Sequence, residues 1–252
     1  MSNDQETSQP NKMSREEEMT TVRELPSPYK KIEVDELVER YSNLYTGAVI
    51  DIFQEMGYHN QWLGRECKCL TRHLKREAVA GFAFTIQWIT DPEPDERDKP
   101  AARMVGSYPK NSMIVVDTGN DQVSGFWGEL ATTICLRNGV RGAVINGGAK
   151  DIGFVREMDF PIFAKFSSPV DGFVYSRLRG WQIPIWWNDI LIRPYDMLLA
   201  DADGVLLIPQ EIAEEVLVKT EERSRSEDET RDLLVGGADP VQASADTGRK
   251  DL

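Results

Sequence analysis

Glu129, Lys150 and Asp151 are the residues of this 252-residue chain whose types and spacing can do chemistry together. Glu129 stands in Gly128-Glu129-Leu130-Ala131, and the other two close Asn146-Gly147-Gly148-Ala149-Lys150-Asp151. Between the two loops the spacing predicts one helix and one buried strand. Leu130, Ile134 and Leu136 supply apolar helical positions, and Asn138-Gly139 ends the helix because Gly accepts the left-handed conformation of a C-cap. Val140 to Ile145 reads as a short buried strand. In such a β-α-β unit the loops leaving the strands gather at one sheet edge, where open α/β sheets bind ligands. Glu129 and Asp151 are expected to meet there across a floor of Gly backbone.

Each of these residues also has a plainer reading. Asp151 precedes Ile152-Gly153-Phe154 and can cap a helix N-terminus. Glu129 can be a first-turn acid favouring the helix dipole. Leu130 is expected to serve the core as well as the helix.

The elements that position the loops follow in chain order. Residues 1–30 are polar and read as a disordered tail, 31–235 as one α/β domain, and 236–252 as a flexible tail. Val34, Leu37, Val38, Tyr41 and Leu44 form a helical stripe, and Thr46 is placed to cap a second helix ended by Gly57. Val79 to Ile89 and Ser112 to Asp117 have strand composition, with a charged loop from Asp91 to Pro100 between them. A short helix near Ile152 to Met158 and a strand from Pro161 to Phe166 follow. Trp181 to Pro209 reads as short strands joined by tight turns, and a Glu-rich helix runs from Gln210 to about Leu234. Trp186 and Trp187 are expected in a core or an interface.

Composition narrows the function. A formal net charge of -13 argues against generic nucleic-acid binding, which neutralises phosphates with Lys and Arg. Anionic substrates stay possible if a local cation or metal offsets that field. The 3 cysteines make no complete disulfide framework, and no apolar run reaches the length of a membrane span, so a cytoplasmic, membrane-free protein is expected. His59, Cys67, Cys69 and His73 lack the spacing of paired zinc ligands, and Gly142 to Lys150 lacks the Gly-Lys-Ser/Thr of a P-loop. Asp201 and Asp203 read as turn residues, and Glu227 as part of a solvated helix face.

The motifs resemble the RraA-like family, which includes class II 4-hydroxy-4-methyl-2-oxoglutarate/4-carboxy-4-hydroxy-2-oxoadipate aldolases, oxaloacetate decarboxylases and regulators of ribonuclease E activity. The resemblance rests on Gly128-Glu129-Leu130, Gly147-Gly148-Ala149-Lys150-Asp151 and Pro161-Ile162-Phe163-Ala164, and extends over about Val34 to Leu234. It implies an α/β fold of the three-layer swivelling β/β/α kind, assembled as a homotrimer or homohexamer with sites between subunits. It implies that Asp151 ligates Mg²⁺ (or Mn²⁺), that Glu129 assists proton transfer, and that Gly128 with the Leu130 and Ala131 amides receives the carboxylate of a small anionic 2-oxo acid. The implied reaction is retro-aldol cleavage or decarboxylation through a pyruvate enolate. A non-catalytic regulator presenting an acidic surface is the rival. Two departures stand out: Arg193-Pro194-Tyr195-Asp196 lacks the family's Gly, and Lys150 replaces its substrate-binding Arg. Lys150 is then expected to keep the Arg's substrate-binding and catalytic, enolate-steadying role with altered substrate preference, since Lys offers one compact charge where Arg offers a bidentate fork. Loss of aldolase activity and a Schiff base on Lys150 are the alternatives.

Overall fold

The computed structural model describes residues 26–72, 78–91 and 100–248. Expectations for residues 1–25, His73, most of the 91–100 loop and residues 249–252 fall outside these. Helices α1 (Val34–Ser42) and α2 (Thr46–Glu55) lead into strands β1 (Lys68–Cys69) and β2 (Val79–Thr90), then α3 (Pro100–Gly106) and β3 (Ser112–Asp117). The central unit is α4 (Glu129–Asn138), β4 (Gly142–Ala149), α5 (Ile152–Glu157) and β5 (Ile162–Ser167). A 3-10 turn (Gly172–Val174) precedes β6 (Ser176–Trp181), β7 (Ile185–Trp187), β8 (Ile190–Ile192), β9 (Met197–Ala200) and β10 (Val205–Ile208). Helices α6 (Ala213–Val235) and α7 (Pro240–Asp246) close the order.

The main sheet runs β1-β5-β4-β3-β2-β9-β10, with β6 also paired to β2. Strands β2, β3, β4 and β5 run parallel to one another, so their C-terminal ends share one edge. Alternation along the strands divides the side chains between two faces. On one face, Phe84, Ile86, Ile114, Val116, Ala143 and Ile145 pack with Trp127, Cys135 and Val155 of the α4 and α5 region. Ala80, Phe82, Leu199 and Leu206 pack with α1, α2 and α6 through Leu37, Tyr41, Phe53 and Val216. On the opposite face, Ala83, Met113, Val115, Val144 and Phe163 meet Ile185, Trp187 and Ile192 of the β7–β8 hairpin. The layers are therefore hairpin, sheet, helices, which is the expected β/β/α arrangement.

Several local expectations need correction. Asn146, Gly147 and Gly148 belong to β4 and not to a loop, with a register shift between Ile145 and Gly148. Thr46 does not cap α2 with its side chain: its N–H and hydroxyl both donate to the Asp201 carboxylate at 2.8 Å, so Asp201 serves that helix end as well as its own turn. Tyr29, placed in the tail by composition, packs on the α1/α2/α6 core and donates its hydroxyl to the Tyr195 carbonyl. Within 236–252, Pro240–Asp246 are helical, capped by the Asp239 carboxylate and joined to α6 through Thr230 and Thr247. Tyr195 sits at φ 69° where the family's glycine is absent, and stacks on Phe82 with ring centroids 4.9 Å apart.

Candidate active site

The site forms where the N-terminus of α4 meets the C-terminal end of β4. Gly128 is the extended N-cap of α4, and Gly139 at φ 75° ends it as the sequence predicts. Asp151 precedes α5 but does not cap it: its backbone is left-handed at φ 57°, and its side chain makes no cap bond there. Instead, the Glu129 N–H donates to Asp151 Oδ2 at 3.3 Å. The carboxylate thus turns across the sheet edge onto the neighbouring helix. A helix N-terminus leaves its first amides without intrahelical acceptors. Among the described residues, the Leu130 and Ala131 N–H groups have no hydrogen-bond acceptor, while Thr132 N–H already donates to the Gly128 carbonyl at 3.1 Å. Glu129 is half-buried, with the Thr133 hydroxyl 3.1 Å from its Oε1.

Lys150 is set by its backbone and by two glycines. Its N–H donates to the Trp127 carbonyl at 2.7 Å, which ties the end of β4 to the loop entering α4. A Cβ on Gly125 would lie 3.0 Å from Lys150 Cβ, and one on Gly128 would lie 3.2 Å from Lys150 Cγ. The aliphatic stem therefore lies along a trough that only glycine leaves open. Its ammonium reaches Asp171, with Nζ 3.6 Å from Oδ2. Asp171 is itself held: its Oδ1 accepts the Phe173 N–H at 2.9 Å, and its backbone is bridged to Gly125.

The structure thus brings Gly128, Glu129, Leu130, Ala131, Lys150 and Asp151 to one edge. Leu130 does not serve the core, since it is 76% exposed; the buried face of α4 is Thr132 and Cys135. Glu227 is not on a solvated face: it is 9% exposed, bonded by the Tyr45 hydroxyl and paired with Arg223. Asp171 was missed by sequence reasoning, and only its place after a β5-like strand could have flagged it. A second missed feature lies behind the site, where Gln87, Asp117 and Asn146 align across β2, β3 and β4. Gln87 donates to Asp117 Oδ2 at 2.7 Å, whereas the buried Asn146 Oδ1 has no partner among the described residues. Cys67 is buried in the sheet–hairpin core, where desolvation pushes its thiol well above the usual range and keeps it neutral.

Comparison with known proteins gives this edge its context. A family model described as RraA-like, Aldolase/RraA, matches residues 46–207. The chain belongs to the RraA-like family. The Legionella pneumophila protein DlpA is 28% identical over 210 residues, covering 83% of this chain and 33% of its own length. A Halalkalibacterium halodurans protein, provisionally named a 4-hydroxy-4-methyl-2-oxoglutarate aldolase, is 29% identical over 49% of this chain and 58% of its own length. The chain thus spans between a third and two thirds of the length of the curated relatives it matches first. A solved structure described as a novel cellulase from microbes associated with the gut ecosystem is 33% identical, with TM-score 0.76, covering 81% of this chain and 90% of that one. Streptomyces coelicolor RraAS2, described as an unusual member of the RNase ES inhibitor RraA family, shares the fold at 21% identity and TM-score 0.68, covering 81% and 99% of the two chains.

Proposed function

We propose that this RraA-like protein is a divalent-metal-dependent lyase that breaks a C–C bond of a small 2-oxo acid, by retro-aldol cleavage or decarboxylation. The observation that carries the reading is the Asp151 carboxylate, turned from its own helix to the α4 N-terminus beside Glu129 and Lys150. Among the described residues, no group of three or more His, Cys, Asp or Glu stands ready to hold a metal. Asp151 with Glu129 beside it still fits Mg²⁺ or Mn²⁺, because Mg²⁺ commonly takes one or two protein carboxylates and keeps several waters. When bound, such an ion polarises the 2-oxo carbonyl and offsets charge developing on its oxygen.

The chain's own groups supply the rest. The free Leu130 and Ala131 amides are placed to receive the substrate carboxylate, as helix N-termini do for anions. Lys150 adds a positive charge at the end of β4, and the Glu129 carboxylate is the group to take or return the proton at the reacting carbon. The free amides suit an anion and not a neutral glucan, so a glycosidase reading gains nothing from this site. Exposed Leu130, Phe154, Val174 and Tyr175 support burial of the site's surroundings against further chains, and an assembly of three or six is part of the proposal. No described helix is long and apolar enough to cross a membrane, and a cytoplasmic setting is part of the proposal.

The test is pyruvate release from a panel of 2-oxo acids with and without Mg²⁺ or Mn²⁺. Asp151→Asn should abolish the metal-dependent activity and leave the melting temperature within about 4 °C, since one exposed hydrogen bond is worth about 1 kcal/mol. Full metal-dependent turnover in that variant would remove Asp151 from the mechanism. Absence of any turnover, with binding to a ribonuclease partner, would favour the regulator reading.

A further inference from the structure

The Lys150 ammonium is the cation of the candidate site, and it is already engaged. Its stem is laid in the Gly125–Gly128 trough and its Nζ stands 3.6 Å from Asp171 Oδ2. Asp171 cannot easily swing away. The Phe173 N–H holds its other oxygen, Gly172 N–H donates to the Gly125 carbonyl at 3.2 Å, and Gly125 N–H donates to the Val170 carbonyl at 2.8 Å. Gly172 is further wedged against Phe126, whose ring a Cβ there would meet at 2.8 Å. The carboxylate partner of Lys150 is therefore fixed by backbone bonds on both sides of it.

Glu129, Asp151 and Asp171 set three negative charges against the single positive charge of Lys150, leaving -2. A divalent ion brings this group to neutrality. One substrate carboxylate is then provided for by the Leu130 and Ala131 amides, but a second would meet an ammonium shared with a fixed anion.

Resting on the retro-aldol form of the lyase reading above, we infer that Asp171 is a specificity-determining residue which, by engaging Lys150, selects 2-oxo acids carrying one carboxylate over those carrying two. Releasing the Lys150 ammonium to attract a second carboxylate at about 6 Å, in an effective dielectric of about 40, changes binding of that carboxylate by about ten-fold.

Calorimetric titration of the full chain in Mg²⁺ buffer, with pyruvate and with 2-oxoglutarate, tests this. Asp171→Asn keeps an acceptor for the Phe173 N–H, and Asp171→Ser is a second variant that keeps one too. The wild type should prefer pyruvate, and either variant should move the dissociation-constant ratio about ten-fold towards 2-oxoglutarate. In a Lys150→Ala background the same change should shrink, because Asp171 acts through the ammonium. Binding of both acids with a ratio unchanged within two-fold overturns the inference and leaves the lyase reading standing. An equal shift without Lys150 also overturns it. Failure of the wild type to bind either acid overturns both.

Discussion

Gly128→Ala separates the site from the fold more sharply than any catalytic-residue substitution. Gly128 has φ −159°, which any residue adopts, so its dihedrals do not demand glycine. Space does: a Cβ would lie 2.4 Å from Asp151 Oδ2 and 3.2 Å from Lys150 Cγ. The easiest relief is rotation of the exposed Asp151 carboxylate, which breaks its bond with the Glu129 N–H. Losing a 3.3 Å, solvent-exposed bond to a charged acceptor costs about 1 kcal/mol, at the low end for such bonds. Ala is a poorer N-cap than Gly, but it lowers the entropy of the unfolded chain by an offsetting ~0.4–1 kcal/mol. The net is about 1 kcal/mol, or some 2–4 °C in melting temperature for a chain of this size. Function should suffer more, because the carboxylate proposed to hold the metal has moved; Mn²⁺ affinity should fall at least ~10-fold, as when a ligand's support is removed.

Gly148→Ala is the control with the opposite pattern. Its Cβ would meet the Ser124 carbonyl and the Phe166 ring at 2.5 Å, and the Gly148 carbonyl accepts the Phe126 N–H at 2.9 Å. Neither neighbour is a free side-chain end, so overpacking should cost about 3 kcal/mol and some 6–12 °C. Circular-dichroism melts and Mn²⁺ titration by electron paramagnetic resonance read the two effects separately. If Gly128→Ala binds Mn²⁺ within two-fold of wild type, or Gly148→Ala melts as high as wild type, the steric reasoning is refuted.

Assembly is checked by light scattering at micromolar concentration: three or six chains are expected, motivated by Leu130 at 76%, Phe154 at 67% and Tyr175 at 59% exposure, and a monomer would sink the proposal of a covered site. Glu214 supplies a pH dependence: burial alone would raise its pKa, but the Lys31, Ile32 and Lys30 N–H groups all donate to its Oε1 and the net shift is downward from 4.5. Its folded pKa lies below its unfolded one, so the stability it contributes is present above about pH 4.5 and lost as pH falls through the folded value. Urea unfolding of Glu214→Gln at pH 7 and pH 4 should show less acid destabilisation than wild type; an identical pH difference would dismiss this latch.

What the sequence disclosed and what it hid divide along a physical line. Local signals were readable: the Gly139 C-cap, the apolar run of β3 and the order of β3, α4 and β4 each depend on neighbours in the chain. The adjacent Gly147 and Gly148 of β4 misled because Gly-Gly reads as a turn when only composition is considered. Their reason is close approach: a Cβ on Gly147 would meet Thr118 Oγ1 at 2.7 Å, and one on Gly148 the Ser124 carbonyl, both contributed by other segments. Leu130 misled in the same way, because periodicity assigned it to the core while Thr132 took the buried position. The Thr132 hydroxyl there donates to the Gly128 carbonyl at 2.9 Å and accepts the Trp127 indole N–H at 3.1 Å. Glu227 looked solvated amid charged neighbours, yet the Tyr45 hydroxyl arrives from across the fold and Arg223 pairs with it from one turn earlier on the same helix. Site residues follow the same division. Glu129, Lys150 and Asp151 were legible because one β-α-β unit presents them together, whereas Asp171 enters only through the parallel bridge to Gly125. That bridge makes the cation's partner a property of the tertiary fold, so the charge the site offers a substrate cannot be read from the Lys150 motif by itself.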